Sequence, residues 1–66
     1  MKNLLKVERA KKDITQADLA VQIGVSRQTI NAIEKGKFVP STILALKLAK
    51  YFETKVEEIF TLEDND

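Results

Sequence analysis

Side chains that both donate and accept hydrogen bonds recur in one short stretch of the chain. If residues 27–35 form a helix turning about 100° per residue, Gln28, Asn31 and Lys35 share one side and Arg27 lies at the exposed first turn. An amide side chain matches the paired donor and acceptor that adenine presents in the major groove, and a basic side chain matches guanine. The pattern therefore suits contact with base edges, although an ordinary solvated helix face has a similar composition.

Two capped helices joined by a tight turn are expected to position these side chains. Thr15 and Asp18 have the spacing of a capping box, so a helix should begin near Gln16. Gly24 can adopt the positive φ that lets the chain leave this helix tightly, and Ser26 can cap the next one. The apolar positions fall on the inner faces of the two helices: Leu19, Ala20, Ile23, Ile30 and Ile33.

Several spaced motifs together resemble the helix-turn-helix domain of the Xre/Cro/phage-repressor family, and in particular its small stand-alone bacterial and archaeal members. The motifs are Thr-Gln-x-Asp-Leu-Ala from Thr15, Gly-Val-Ser-Arg-Gln-Thr-Ile from Gly24, Ile-Glu-Lys-Gly-Lys from Ile33, and Pro-Ser from Pro40. The resemblance covers residues 9–60, which is most of the chain. It implies an all-α, lambda-repressor-like bundle of five helices and a DNA-binding function.

Other local signals complete this fold. The pattern predicts one domain over residues 1–62, followed by a disordered acidic tail over 63–66. The remaining expected helices are a first over 4–12, a fourth after a Ser41 cap, and a fifth over 55–60 after a Thr54–Glu57 capping box. Residues 61–62 could pair with residues 1–3 as a small sheet or be loose.

The composition excludes most kinds of active site. The chain has 66 residues with no cysteine and no histidine, so it lacks a thiol nucleophile, an imidazole base and the usual ligands of a zinc site. We therefore expect no enzyme, no cofactor and no metal. No apolar run is long enough to cross a bilayer and no signal-peptide pattern follows Met1, so the expected location is the cytoplasm.

The charges are distributed unevenly although the net charge is only +1. Residues 1–50 contain ten Lys and Arg against four acidic residues, whereas residues 51–66 contain one Lys against six acidic residues. This distribution fits a basic face directed toward a polyanion with the acidic end directed away from it. The acidic end could equally serve solubility.

An ion pair between the first and third helices is expected from Arg9 and Glu34. In the family that the chain resembles, an arginine at this position pairs with a glutamate near the end of the recognition helix. The helix geometry agrees, because it places Glu34 about 70° from the core direction, where an unpaired carboxylate would be costly. The alternative is that these are two unrelated surface charges.

The side chains expected to contact DNA divide into two sets. Arg27, Gln28 and Asn31 are expected to read bases. The residues expected to contact the DNA backbone are Gln16, Ser26, Thr29, Lys35 and Lys37, and Thr29 could instead contact a thymine methyl group. For Gln16 the resemblance implies the same role.

These observations predict a sequence-specific regulator of transcription that binds double-stranded DNA, as a repressor that occludes a promoter. One domain reaches only a half-site, so we expect a homodimer on a palindromic operator, with its recognition helices about 34 Å apart. The candidate dimer-interface residues are Ile43, Leu46, Ile59, Phe60 and Leu62.

A protein-interaction module is the alternative. In this reading the chain is an antitoxin-like protein or an adaptor whose exposed Ile43 and Leu46 bind another protein, and DNA binding is secondary. RNA is disfavoured as a target because the deep, narrow major groove of an A-form helix does not admit a helix.

Overall fold

Five helices and two very short strands make up the fold, in a computed structural model that describes residues 1–66. The elements are β1 (Lys2–Asn3), α1 (Leu5–Lys11), α2 (Gln16–Ile23), α3 (Arg27–Glu34), α4 (Thr42–Tyr51), α5 (Val56–Ile59) and β2 (Phe60–Thr61). The predicted five-helix bundle with a small terminal sheet is confirmed. None of the helices has the length and apolar character needed to cross a membrane.

The turn between α2 and α3 forms from local sequence signals. The Thr15 hydroxyl accepts from the Asp18 N–H at 3.0 Å, and the Asp18 carboxylate accepts from the Thr15 N–H at 3.1 Å, so the capping box is complete. Gly24 ends α2 with a φ of 84°, and a Cβ there would meet no atom within 4 Å. Backbone conformation, not space, therefore requires glycine at this position. Ser26 then caps α3.

A core of aliphatic and aromatic side chains fixes the five helices relative to one another. It contains no buried polar or charged residue, and each helix contributes at least one buried side chain. The largest fully buried side chains are Leu5, Leu19, Ile30, Ile33, Leu48 and Ile59. Since Ile30 and Ile33 both belong to α3, that helix has its apolar side fully covered and its polar side directed outward.

The terminal sheet pairs β1 with β2 in an antiparallel arrangement, with Lys2 opposite Thr61 and Asn3 opposite Phe60. The strand β2 begins one residue earlier than predicted because Phe60 is extended and packs its ring into the core. Next to the sheet, the Leu4 N–H donates to the Ile59 carbonyl at 2.8 Å. The sheet therefore attaches the start of the chain to the end of α5.

The start of α5 differs from the prediction, because Thr54 does not cap this helix. Its N–H donates to the Ala49 carbonyl and the Glu53 N–H donates to the Lys50 carbonyl, which is the Schellman pattern that ends α4. Glu53 is left-handed, with a φ of 54°. The Thr54 hydroxyl donates to the Glu58 carboxylate at 2.6 Å, so α5 begins after Lys55 without a side-chain cap.

The acidic segment 63–66, expected to be disordered, makes defined contacts in the structure. Glu63 and Asp66 lie 3.1 and 3.0 Å from the Met1 ammonium group. The terminal sheet brings these opposite charges together, because it places Met1 beside the residues that follow β2. These contacts therefore follow from the pairing of β1 with β2, and the disorder of residues 63–66 stays a prediction.

Candidate nucleic-acid interface

The outward side of α3 carries the side chains predicted to read bases. Arg27 and Gln28 are exposed in the first turn, and Asn31 is half-buried one turn later. The Ser26 hydroxyl accepts from the Thr29 N–H at 3.1 Å and lies 3.0 Å from the Thr29 hydroxyl. All three predicted base readers thus lie on one rigid, capped helix.

Gln16 links this face to α2. Its side-chain amide donates to the Asn31 side-chain oxygen at 3.2 Å and to the Glu34 carboxylate at 3.1 Å. Both hydrogens of the Gln16 amide are therefore engaged within the protein, and Gln16 holds Asn31 by its side-chain oxygen. Sequence reasoning missed this bridge, since no local pattern joins residues in different helices.

The first turn of α2 retains backbone N–H groups without an intrahelical partner. Gln16 and Ala17 occupy the first two positions of the helix, where no preceding carbonyl can accept. The Asp18 N–H, by contrast, is taken by Thr15. Because the side chain of Gln16 is occupied, the backbone at this helix start is the part of Gln16 that is free to bind an anion.

The Arg9 and Glu34 side chains are brought together, as predicted. The guanidinium group donates from Nε to Glu34 Oε2 at 2.8 Å and from Nη2 to Oε1 at 3.1 Å, and Nη1 donates to the Ile14 carbonyl at 3.0 Å. The two side chains are only 17% and 6% exposed. This two-bond geometry joins α1 to the last turn of α3.

The environment of Glu34 favours its charged form. Burial acts to raise the pKa of the Glu34 carboxyl, but hydrogen bonds from Arg9 and Gln16 and the nearby positive charges outweigh burial and hold the pKa below its usual value. The same pairing raises the pKa of Arg9. Glu34 therefore contributes a fixed negative charge at the inner edge of the interface.

Two predicted phosphate ligands follow α3 directly. The Gly36 N–H donates to the Ile33 carbonyl and the Lys37 N–H donates to the Ala32 carbonyl, both at 2.9 Å. With Gly36 at a φ of 73°, these bonds form a Schellman motif. Lys35 and Lys37 are both exposed. The motif thus directs two cations into solvent at the end of α3.

The five residues predicted at a subunit interface do not form one exposed surface. Ile59 and Phe60 are 0% and 7% exposed, because α5 and β2 direct both side chains into the protein's own core. The expectation that these two side chains are offered to a partner is therefore corrected for Ile59, and for Phe60 except where the small exposed part of its side chain lines a groove. Ile43 and Leu46 are 70% and 56% exposed on α4. Leu62 is exposed as well, beyond the terminal sheet.

A shallow apolar groove lies beside Leu46. It is lined mainly by side chains from the loop before α4, from α4 itself and from the α5 region: Val39, Pro40, Ala45, Leu46, Val56 and Phe60. Val39 and Leu46 are exposed at its rim. The groove and the exposed residues Ile43 and Leu46 of α4 together form an apolar part of the surface that includes neither Arg27 nor Gln28.

Two helices joined by a tight left-handed glycine turn, the second one polar on its outer side, define a helix-turn-helix protein. The family model described as "Helix-turn-helix" matches residues 5–59, and the chain belongs to this family. DNA binding and transcription regulation are the functions that this membership supports.

Two similar proteins match this chain over its whole length and theirs. The chain is 59% identical over 66 residues to an uncharacterized HTH-type transcriptional regulator of Methanocaldococcus jannaschii, and the match covers 100% of both chains. It is 48% identical to the uncharacterized HTH-type transcriptional regulator YgzD of Bacillus subtilis, again over 100% of both. Among solved structures, the restriction-modification controller protein C.AhdI from Aeromonas hydrophila is similar, with a TM-score of 0.76, 30% identity and 85% of each chain covered.

Proposed function

We propose that this protein is a sequence-specific regulator of transcription that binds double-stranded DNA and represses a promoter by occluding it. The outer face of α3 is the observation that carries the proposal. Its inner residues Ile30 and Ile33 are fully covered, while Arg27 and Gln28 are free in the first turn. A helix held in this way can enter a major groove without losing core contacts.

Base reading is assigned to Arg27, Gln28 and Asn31. The two exposed side chains can reach base edges directly, and Asn31 offers an amide nitrogen because its oxygen accepts from Gln16. A held amide loses less conformational freedom on binding than a mobile one. Of the three side chains, we therefore expect Asn31 to have the most sharply defined geometry for contacting a base.

Docking on phosphates is assigned to groups at the two ends of the helix pair. Lys35 and Lys37 supply cations after α3, and the free N–H groups at the start of α2 supply donors at the positive end of a helix dipole. Ser26 and Thr29 present hydroxyl groups beside the first turn of α3. These contacts would fix the orientation of the protein on DNA without reading its sequence.

A homodimer on a palindromic operator completes the proposal. The exposed residues Ile43 and Leu46, together with the groove beside Leu46, are the surface that we assign to a second copy of this chain. A two-fold pairing buries the same patch of both subunits and presents two recognition helices. Two half-sites about 34 Å apart then lie in successive turns of the major groove.

The exposed apolar face of α4 also favours a second candidate, an antitoxin-like or adaptor protein that binds another protein there. The two candidates differ in what the purified protein does alone. A regulator shifts duplex DNA by itself at nanomolar concentration, whereas an adaptor requires a second protein to do so.

Selection from a random duplex pool tests the proposed function. The purified protein is incubated with the pool at two salt concentrations, and bound duplexes are amplified and sequenced. We expect enrichment of an inverted repeat whose half-sites are one helical turn apart. A bound pool no different in sequence from the input would contradict sequence-specific binding, and enrichment of a single half-site would contradict the dimer.

A further inference from the structure

Asn3 connects the terminal sheet to the end of the recognition helix. Its side-chain nitrogen donates to the Ile33 carbonyl at 2.8 Å, and its side-chain oxygen accepts from the Leu5 N–H at 3.2 Å. Asn3 is half-buried. A single amide thus bridges the start of α1 and the last turn of α3, and Asn3 and Ile33 are 30 positions apart in the chain.

The Ile33 carbonyl is part of the motif that closes α3. It accepts from the Gly36 N–H as well as from Asn3, so both of its lone pairs are used. The Lys37 N–H bond to Ala32 completes the same motif. Any shift of the Ile33 carbonyl would therefore move the backbone from which Lys35 and Lys37 project.

Asn3 is itself held firmly. It pairs with Phe60 across the terminal sheet, and Phe60 is anchored in the core. The next residue, Leu4, donates its N–H to the Ile59 carbonyl at 2.8 Å. The amide of Asn3 can thus act as a fixed support, and the Arg9–Glu34 pair holds the same turn of α3 from another side.

We propose that Asn3 is a positioning residue for DNA binding, whose hydrogen bond to the Ile33 carbonyl fixes the direction in which Lys35 and Lys37 present their ammonium groups to the DNA phosphates. The inference rests on the proposed function. Asn3 itself touches no DNA in this arrangement and acts through the loop that follows α3.

Asn3 has a second role that the experiment must separate, because its oxygen also satisfies an N–H at the start of α1. Asn3→Ser retains a short side-chain acceptor for Leu5 but is too short to reach the Ile33 carbonyl, and it leaves the charge unchanged. Asn3→Ala removes both bonds. Ser41→Ala is the matched control, because it removes a cap bond to Leu44 at the start of α4.

Amide hydrogen exchange of the free protein tests the structural step. In Asn3→Ser, the N–H groups of Gly36 and Lys37 should exchange up to about tenfold faster, the effect of losing one hydrogen bond that supports them. In Ser41→Ala their exchange should change no more than the rest of the core does. Unchanged exchange at Gly36 and Lys37 in Asn3→Ser would overturn the proposal.

Duplex titration over a range of salt concentrations tests the functional step. We expect Asn3→Ser to weaken binding about threefold to tenfold, the size of one lost hydrogen bond. In a background where Lys35 and Lys37 are both alanine, the same substitution should have no further effect. Equal losses in the two backgrounds would overturn the proposal, because Asn3 would then not act through these lysines.

The outcomes also separate this inference from the proposed function. Wild-type protein that binds no duplex would overturn both. Intact, salt-dependent binding by Asn3→Ser, with the affinity of the wild type, would overturn only the role of Asn3. If Asn3→Ala fails to fold, Asn3→Ser alone still decides, since it keeps the acceptor for α1.

Discussion

Arg9 and Glu34 form a two-bond ion pair between α1 and the last turn of α3, with Nε–Oε2 and Nη2–Oε1 distances of 2.8 and 3.1 Å. Glu34 also accepts from Gln16, which in turn donates to Asn31. The largely covered carboxylate of Glu34 thus connects α1, through Gln16, to a side chain on the outer face of α3. The stability of the fold and the orientation of a predicted base reader depend on the same group.

Removing either partner of this pair should destabilise the protein strongly. Arg9→Ala or Glu34→Ala leaves the other charge in a largely covered site, and the expected loss in unfolding free energy is about 3 kcal/mol. Lys11→Ala is the matched control, because the Lys11–Glu8 pair is exposed at its lysine end, and it should cost less than about 0.5 kcal/mol. Denaturant melts measure all three, and equal small losses would contradict the pairing.

Acid should weaken the fold through Glu34. Its pKa is lowered in the folded protein, so the folded state binds fewer protons than the unfolded one, in which the pKa is about 4.3. The stability from Glu34 is therefore present above that value and is lost as the pH falls through the lower folded pKa. Subtracting the pH dependence of Glu34→Gln from that of the wild type isolates this effect, and a difference that does not depend on pH would contradict it.

Base reading and phosphate contact should respond differently to substitution. Gln28→Ala should weaken binding to the selected operator by about 1–3 kcal/mol and leave random duplex nearly unaffected. Lys37→Ala should weaken both alike and reduce the salt slope by about one unit. Titrations of both variants on both duplexes test the assignment. Equal losses of affinity on the two duplexes for Gln28→Ala would show that Gln28 does not read a base.

The exposed face of α4 should control association. Leu46→Asp places a charge in the proposed contact, so this variant should be monomeric at micromolar concentration while the wild type is dimeric. Val21→Asp is the control, because Val21 is an exposed aliphatic residue on α2. Molar mass measured by light scattering decides. A wild-type mass that fits a monomer throughout the range would contradict the dimer.

Substitution of Gly24 should destabilise the protein only through the strained backbone conformation at this position. Its φ of 84° is unfavourable for residues with a Cβ, but no atom lies within 4 Å of where that Cβ would be. Gly24→Ala should therefore lower the unfolding free energy by about 1–2 kcal/mol without displacing neighbours, and Gly24→Asn should cost less. Thermal melts test the order, and a larger loss for asparagine than for alanine would contradict this explanation.

Apart from the Arg9–Glu34 pair and the terminal sheet, the parts of the fold that the sequence predicted are those governed by nearby residues. The capping box at Thr15, the Gly24 turn and the Ser26 cap each depend on side chains within three positions, and all three form in the structure. The predicted Thr54 capping box does not form, because the Thr54 N–H is part of the motif that ends α4. Local spacing cannot tell which of two neighbouring helices a residue will serve.

Two contacts between distant elements were not predicted from the sequence, although the Arg9–Glu34 pair and the terminal sheet were. The Gln16 bridge and the Asn3 support each join residues of different elements, so only the packed fold brings the partners together. The predicted interface set was wrong only at Ile59 and Phe60, because their burial depends on the packed fold. Ile59 and Phe60 are apolar, as interface residues often are, but both side chains pack into the protein's own core.

The left-handed backbone at Glu53 indicates where heat tolerance could be increased. This residue has a φ of 54° at the end of α4, a position that glycine or asparagine occupies at lower conformational cost. Replacing it relieves local strain in a loop remote in sequence from the helix-turn-helix. A more thermally robust protein could thus be engineered with the side chains assigned to DNA left as they are.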